Sequence, residues 1–426
     1  MTPLQSRVRR FYLYQATTSF ALWIPFWALW IRQHLASDFE LTLVDVAFWV
    51  GLLVFQLPAG FIADRTGRKR TILLSEAFRS IGILGYGLGT QFVEYQITNL
   101  VWSLGAAFSV GTSAYLYDSL LEAGHESEFP RYIGRNTMIQ LGSNAAGAFA
   151  GGILVAVTQS IQLTLLLGAA INLVSIGVAA TFVEPKVTRT TEPTFTKQLV
   201  QGWHIVRRRE GVALLIAFEV VFGVALYCMA LFRPLYLTQA LRIPEAQIAL
   251  WIAGFLVVAA LVSGYAGRIA GGLGEFGTIA LVVALSSLSF LGLWALGPWM
   301  GAAFLQAPIY VAWSLQPVMT TAFLNRRLEP GQRATVLSMG AFAFTLALVG
   351  VLPLTGLVTS STGDLLNLGL LLGVGTLVCG MAILFRWRST VAPWPAVTPL
   401  PTRLMPESAR ISRFHRLFER LARLRP

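Results

Sequence analysis

The sequence predicts an all-α membrane protein with twelve transmembrane helices in two similar halves of six, and three observations support this fold class. Of its 426 residues, 55% are hydrophobic and only 12% are charged, whereas soluble proteins carry about 25% charged residues. Twelve apolar runs of roughly 20 residues follow one another, and each can cross a hydrocarbon core of about 30 Å as a helix. A long polar loop over 184–211 separates six runs from six.

A charge cluster between the second and third runs determines the predicted orientation. It has the sequence Gly60-Phe-Ile-Ala-Asp64-Arg65-Thr-Gly67-Arg68-Lys69-Arg70. Because basic residues concentrate in cytoplasmic loops, we expect this loop and, by alternation, both termini to be cytoplasmic. The net charge of +12 then reflects topology and contact with inner-leaflet lipids, and nucleic acid is not an expected partner.

We expect four segments along the chain. Residues 1–183 and 212–388 form the two six-helix bundles, and residues 184–211 form a cytoplasmic linker with a surface helix. Residues 389–426 begin with a Pro-rich spacer and end in a basic amphipathic helix, Ser408–Arg425. Such a helix is expected to lie on anionic inner-leaflet lipids, and docking to a partner protein is the alternative.

The charged loop resembles the signature loop between helices 2 and 3 of the major facilitator superfamily in the spacing of Gly60, Asp64, Arg65, Gly67, Arg68 and Arg70. The helix count, the two halves and the central loop extend this resemblance over about residues 1–388. The resemblance implies that Asp64 meets the start of helix 11, near Arg333. A carboxylate is stabilised there because the helix dipole favours an anion at a helix N-terminus.

Asp118 and Glu122 lie at i and i+4 near the cytoplasmic end of helix 4, so both carboxylates share one helix face. We expect them to receive Arg65 and Arg68 and to form a conformational latch that stabilises the outward-open state. A charge cluster that serves topology alone is the alternative. The expected latch comprises Gly60, Asp64, Arg65, Gly67, Arg68, Asp118 and Glu122.

A faint internal repeat relates the two halves. A shift of 204 residues (264 − 60) aligns Gly60 with Gly264, Asp64 with Arg268 and Gly67 with Gly271. The second copy lacks the acidic residue and keeps only glycines and an arginine. We therefore expect the charge latch to belong to the N-terminal half alone.

Helix 5 contains a glycine pattern, Gly147-Ala148-x-x-Gly151-Gly152. It resembles the antiporter signature Gly-Pro-x-x-Gly-Gly of drug exporters, with Ala148 in place of the proline. The glycines permit close helix packing, whereas the kink that proline would cause is not expected. Ordinary small-residue packing is the alternative to an exporter signature.

We single out three ionisable side chains inside predicted helices. Glu219 is about two turns into helix 7 with no cation near it in sequence. Because removal from water favours the protonated form of a carboxylate, we expect Glu219 to carry a proton or to bind a cation. A salt bridge at the cytoplasmic end is the alternative. Arg79 is expected to pair with Glu76, and Arg233 is expected to snorkel to the outer interface.

The family resemblance implies that helices 1, 4, 7 and 10 line a central cavity. In this sequence those helices are rich in aromatic side chains and carry few polar ones, which suits an amphipathic organic compound. Aromatic residues also gather at membrane interfaces, which is the alternative for each of them. The cavity candidates are Tyr14, Gln15, Trp23, Asn99, Trp102, Tyr227, Tyr310, Trp313 and Gln316.

No enzymatic site, metal site or cofactor is expected, because the four histidines are scattered in loops and the sequence has no phosphate-binding Gly-x-x-x-x-Gly-Lys-Ser/Thr loop. We expect a monomeric secondary transporter of the plasma membrane that works by alternating access. Its expected activity is proton-coupled efflux of a small amphipathic compound. A uniporter or importer of a small metabolite, and a non-transporting membrane sensor or scaffold, are the alternatives.

Overall fold

A computed structural model describes residues 3–109, 111–186, 195–297 and 304–391 of the chain. The predicted tail helix, Ser408–Arg425, and the side chain of Asp64 lie outside what it describes. The described residues form helices and contain no strand.

The first half contains eight α-helices: α1 (Pro3–Ser19), α2 (Trp27–Arg32), α3 (Asp38–Thr66), α4 (Arg68–Leu88), α5 (Phe92–Phe108), α6 (Gly111–Glu122), α7 (Phe129–Thr158) and α8 (Gln162–Ala180). The linker forms α9 (Phe195–Arg208). The second half contains α10 (Glu210–Leu235), α11 (Glu245–Ser263), α12 (Ala266–Leu296), α13 (Gln306–Arg327), α14 (Pro330–Thr362) and α15 (Leu366–Thr390). Seven of these helices are individually long and apolar enough to cross a membrane.

Pairs of these helices continue one another, so the described residues form twelve rods, six in each half. The first rod consists of α1 and α2, joined by the non-helical residues 20–26, and the fourth consists of α5 and α6. The first run was expected to be one continuous helix, and that expectation is wrong. The break lies where α7 packs against the backbone of Ala21 and Leu22 through Gly147 and Gly151, so tertiary contacts stabilise a non-helical segment there.

The two halves meet chiefly where α3 packs on α14, α7 on α11, and α2 on α10. The side of the bundle that carries residues 64–70 is called the motif side below, and the opposite side is called the far side. On the far side, the Phe39 N–H donates to the Ser360 hydroxyl at 2.8 Å across the two halves. A Cβ placed on Gly356 of α14 would lie 2.8 Å from the Thr42 methyl carbon of α3.

The halves diverge toward the motif side. Gly60 lies five helical turns after Thr42 on the same nominal face of α3, a rise of about 27 Å, and a Cβ there would have no described neighbour within 4 Å. The second helix pair behaves in the same way. Gly152 of α7 packs against Ala249 of α11, whereas Gly134, five turns away on the same face, has open space around it. The bundle is therefore closed on the far side and open on the motif side.

Candidate functional site

A cavity of about 690 Å³ lies inside the first half, among α1, α5, α6 and α7. Hydroxyl and amide side chains form most of its lining, and two tryptophans, a tyrosine and a phenylalanine add aromatic surface. The cavity is therefore more polar than the sequence suggested. Its polar and aromatic lining comprises Phe11, Tyr14, Gln15, Thr18, Ser19, Trp23, Arg79, Trp102, Ser109, Thr112, Ser113, Asn136, Thr137, Gln140 and Asn144.

Two aromatic rings and one cation form the wall where the non-helical residues 20–26, α4 and α5 meet. The Trp23 and Trp102 rings stand edge to face with their centroids 5.2 Å apart. The Arg79 guanidinium lies 5.6 Å from the Trp102 ring centroid, within the range of a cation–π contact. A ligand that combines an apolar ring with an electron-rich polar group would match this wall.

A fully buried carboxylate, Glu76 of α4, orients that cation. It accepts hydrogen bonds from the Tyr14 hydroxyl at 2.7 Å, from the Thr18 hydroxyl at 3.0 Å and from Arg79 at 3.2 Å. Arg79 also donates to the Thr18 hydroxyl at 2.9 Å. The expected local pair of Glu76 and Arg79 is present, and the α1 hydroxyls that complete it were not expected.

Four of the nine cavity candidates line this cavity: Tyr14, Gln15, Trp23 and Trp102. Asn99 does not, since it is buried and accepts a 2.6 Å hydrogen bond from the Tyr86 hydroxyl inside the first half. The candidates of the second half lie away from the cavity. Tyr227 contacts α3, and Tyr310 contacts Arg233. Gln316 donates to the Glu219 backbone carbonyl at 3.3 Å, and the Trp313 side chain is exposed.

Arg233 does not snorkel to the membrane surface. Its side chain is buried, and it donates to Gln306 at 3.1 Å and to the Tyr310 hydroxyl at 2.9 Å. The guanidinium also stacks on the Tyr310 ring, 4.0 Å from the centroid. The expectation of an interfacial arginine is therefore wrong. Gln306 and Tyr310 of α13 supply the hydrogen-bond acceptors and the aromatic ring, so the guanidinium does not need water or lipid headgroups.

Glu219 of α10 faces α14. Its carboxylate oxygen Oε2 would lie 3.4 Å from a Cβ placed on Gly340, and the side chain is partly exposed. No ion pair to Glu219 occurs among the residues that the structure describes. This arrangement leaves the carboxylate available for a proton or a cation on the motif-side half of the bundle.

A second buried carboxylate, Asp45 of α3, was not singled out from the sequence. It accepts hydrogen bonds from the Tyr227 hydroxyl of α10 at 3.0 Å and from the Trp49 indole N–H at 3.2 Å. The signal that identified Glu219, an acid inside an apolar run, also applied to Asp45. Its position at the contact between the halves could not be predicted from that signal.

The motif-side loop is held by anions within the first half. Gly67 adopts φ +94°, which a glycine tolerates, and α4 begins at the next residue. The Glu184 carboxylate accepts the N–H groups of Arg68 and Lys69 at 2.6 and 2.8 Å, so it caps the α4 N-terminus. The Arg68 side chain pairs with Asp118 of α6 at 3.0 Å. This pair does not depend on contact between the halves, because it is present while they are apart on this side.

The other expected latch residues have different partners. Arg7 of α1 donates to Glu122 at 2.6 Å, and this hydrogen bond lowers the pKa of the Glu122 carboxyl at the exposed end of α6. Arg65 lies over the Phe61 ring, 4.0 Å from its centroid. The notion that Glu122 receives Arg65 or Arg68 is therefore not what the structure shows, since Arg7 approaches from α1.

The second half carries a counterpart of the loop with the charges exchanged. Gly274 adopts φ +67° before the long part of α12, as Gly67 does before α4, and it lies three residues beyond the expected Gly271. The next residue, Glu275, forms a buried ion pair with Arg327 at the end of α13. Aligning Gly274 with Gly67 changes the expected register of the repeat: Gly271 then stands where the first half has Asp64, and the acid Glu275 takes the place of Arg68.

The helix 5 glycines all lie in close contacts. A Cβ on Gly147 would lie 2.6 Å from the Ala21 nitrogen, and a Cβ on Gly151 would lie 3.0 Å from the Leu22 carbonyl carbon. Gly152 meets α11 of the other half in the same way. This pattern therefore joins α7 both to the break in the first rod and to the second half.

Comparison with protein families gives one match over most of the chain. Residues 12–348 match the family model of the Major Facilitator Superfamily. Among curated proteins, the uncharacterized MFS-type transporter YcaD of Escherichia fergusonii is 26% identical over 298 residues, covering 68% of this chain and 74% of that protein. Its counterpart in Shigella flexneri is 24% identical over 297 residues, with the same coverage.

Solved structures share the fold at low identity. The nucleoside transporter NupG has a TM-score of 0.74 at 13% identity, covering 91% of this chain and 100% of that one. An inward-facing, occupied bacterial homologue of the human lysosomal transporter Spinster has a TM-score of 0.72 at 14% identity, covering 93% and 99%. A D-xylose–proton symporter has a TM-score of 0.69 at 13% identity, covering 89% and 97%.

Proposed function

The chain belongs to the major facilitator superfamily, and from this premise we propose that it is a proton-coupled exporter of a small amphipathic organic compound. It would act by alternating access as a monomer in the plasma membrane, without a cofactor, and with the motif side facing the cytoplasm. The observation that carries the proposal is the 690 Å³ cavity in a bundle that is closed on the far side. A compartment open to one side alone is what alternating access requires.

The cavity wall favours an amphipathic substrate. Trp23 and Trp102 supply apolar rings, and Arg79, held by Glu76, supplies one fixed positive group beside them. The amides of Gln140 and Asn144 add donors and acceptors on the opposite helix. Burying a ring between the tryptophans while pairing a polar group with Arg79 would use both surfaces.

Glu219 would provide the coupling proton site. It is a partly exposed carboxylate inside a transmembrane helix, and none of the ion pairs in the described chain involves it. Ionisable residues in such positions commonly serve proton or ion pathways. The Gly147–Gly152 pattern resembles the antiporter signature of exporters, and this resemblance favours export over import. Its close helix packing is compatible with that role.

A second candidate is transport of a small polar metabolite. The four amides in the cavity, Gln15, Asn136, Gln140 and Asn144, favour it because polyhydroxylated compounds require many hydrogen-bond partners. Loss of transport in Trp102→Ala with little change in Gln140→Ala would support the amphipathic substrate. The reverse result would support the polar metabolite.

Proteoliposomes with an imposed pH gradient test the proposal. Lipophilic cations, antibiotics and polar metabolites are screened for movement against their own gradient. We expect Glu219→Gln to abolish acceleration by the pH gradient while binding of the compound persists. Glu210→Gln, at the exposed start of the same helix, is the matched control and is expected to keep that acceleration. Full gradient-driven transport in Glu219→Gln would refute the coupling role.

A further inference from the structure

Asp45 lies in a cluster that joins three helices from both halves. Its side chain is only 3% exposed, and Tyr227 of α10 donates to both of its oxygens, at 3.0 and 3.2 Å. The Trp49 ring stands edge-on to the Tyr227 and Phe344 rings, with centroid distances of 5.1 and 5.7 Å. Because Phe344 belongs to α14, the cluster fastens α3 of the first half to α10 and α14 of the second.

The groups around Asp45 are uncharged at neutral pH. The titratable side chains that interact with it are Tyr227 and Cys228 from α10 and Tyr86 from α4. The ion pairs of the described residues include none to Asp45. Its carboxylate is therefore stabilised by neutral donors alone.

The charged groups of the helices packed against α3 have other positions or partners. On α10, Arg233 donates to Gln306 and Tyr310 of α13, and on α4, Arg79 pairs with Glu76. Asp38 pairs with Arg32 of α2 at 2.5 Å, and Glu40 accepts the Ala36 N–H near the start of α3. Glu94 of α5 is exposed and caps its own helix. The one ionisable residue of α14, Arg333, lies at its motif-side end. None of these groups compensates a negative charge at Asp45.

Closure of the far side thus removes a carboxyl group from water without supplying a cation. Burial of this kind favours the protonated form of the group. Separation of α3 from α10 and α14 would return the group to water and remove that preference. By linkage, proton binding and far-side closure then favour each other. We propose that Asp45 is a proton-binding site whose protonation closes the far side, an inference that rests on the proton coupling proposed above.

An aromatic ring separates Asp45 from Glu219. Glu219, Gly223 and Tyr227 lie at i, i+4 and i+8 on one face of α10, over a rise of about 12 Å. The Phe344 ring covers the middle of this stripe, where a Cβ on Gly223 would lie 2.9 Å from it. Asp45 would therefore exchange protons with the far side when the halves part there, and Glu219 would exchange them with the motif side.

Spin-label distances test this site without a transport substrate. The full chain, with Cys228→Ala and Cys379→Ser, receives labels at Thr158→Cys and Ser361→Cys, two exposed far-side positions in different halves. Double electron–electron resonance in liposomes then follows far-side opening with pH. We expect the open-to-closed ratio to rise about tenfold or more from about pH 5 to about pH 8. Where the closed form binds one more proton than the open form, the ratio changes about tenfold for each pH unit.

Asp45→Asn is expected to remain closed over the whole pH range, because an amide cannot ionise. Glu94→Gln, a neutralised and exposed far-side acid, is the matched control and is expected to keep the parental pH response. Tyr227→Phe removes the donor that stabilises the buried carboxylate, so it is expected to open the far side further at alkaline pH. An unchanged pH response in Asp45→Asn would overturn the inference, as would a parental response in Tyr227→Phe.

The outcome is separable from that of the proposed function. If Asp45→Asn loses the pH response but no pH gradient drives transport in the parent, the proton site is supported and proton-coupled export fails. If the parent shows gradient-driven transport and Asp45→Asn keeps its pH-dependent distances, proton-coupled export stands and the Asp45 inference fails.

Discussion

Replacing Gly147 by alanine should destabilise the protein, because α7 meets the backbone of the first rod there. The new Cβ would lie 2.6 Å from the Ala21 nitrogen, 0.8 Å less than the 3.4 Å at which ordinary Cβ contacts begin. The Phe20 and Ala21 carbonyl carbons, at 3.0 and 3.1 Å, block the same volume. All three neighbours are backbone atoms, so no side chain can rotate away, and α7 would have to move from the first rod.

The magnitude follows from two opposing effects. Overpacking against fixed atoms costs about 1–3 kcal/mol, and the rigid backbone places this site at about 3 kcal/mol. Alanine returns about 1 kcal/mol through its better helix propensity, which leaves a net loss of about 2 kcal/mol. Gly142→Ala is the matched control in the same helix, because a Cβ there has no described neighbour within 4 Å. It should gain about 0.5–1 kcal/mol.

Reversible unfolding in mixed micelles of a mild detergent and sodium dodecyl sulfate measures both variants. The free energies of unfolding should differ by about 3 kcal/mol, a factor of about 150 in the unfolding equilibrium constant. A Gly147→Ala protein as stable as Gly142→Ala would refute the argument that the glycine pattern is required for backbone contact with residues 20–22.

Two further perturbations test the buried ion pair of the second half and the divergence on the motif side. Glu275→Gln removes the carboxylate from the buried ion pair with Arg327 and should cost about 3 kcal/mol of unfolding free energy, whereas Glu210→Gln, in an exposed pair, should cost less than about 1 kcal/mol. Equal costs would contradict this difference. Gly60→Trp should fold normally yet block motif-side closure, so transport should be lost while Gly177→Trp, at an exposed site on α8, retains it. Retained transport in Gly60→Trp would show that α14 does not approach α3 at this position.

Much of the fold could be predicted because bilayer length and loop charge constrain each rod separately. The break between α1 and α2 was missed, because residues 20–26 are as apolar as a helix, although Pro25 among them disfavours a continuous helix. The shape of this segment also depends on Gly147 and Gly151 of a distant helix. The register of the repeat was displaced for a similar reason. Glycines are frequent throughout 264–274, and only the positive φ of Gly274 distinguishes the one that matches Gly67.

The sequence indicated some helices of the site but not its polarity or its contacts. Tyr14 and Trp102 line the cavity, and their helices are among those that the family resemblance implied. The amides of α7 were missed, since helix 5 was considered only for its glycines. Pairing at i, i+3 predicted the contact of Glu76 with Arg79, but not the hydroxyls of α1 that complete it.

The most direct test of alternating access compares both sides of one bundle. The far-side label pair at Thr158 and Ser361 is measured alongside a motif-side pair at the exposed residues Arg131 and Arg268, in liposomes and across the same pH series. Opposite changes are expected, so that every condition that lengthens the far-side distance shortens the motif-side distance. Distances that stay fixed, or that lengthen together, would contradict the claim that the bundle opens to one side at a time.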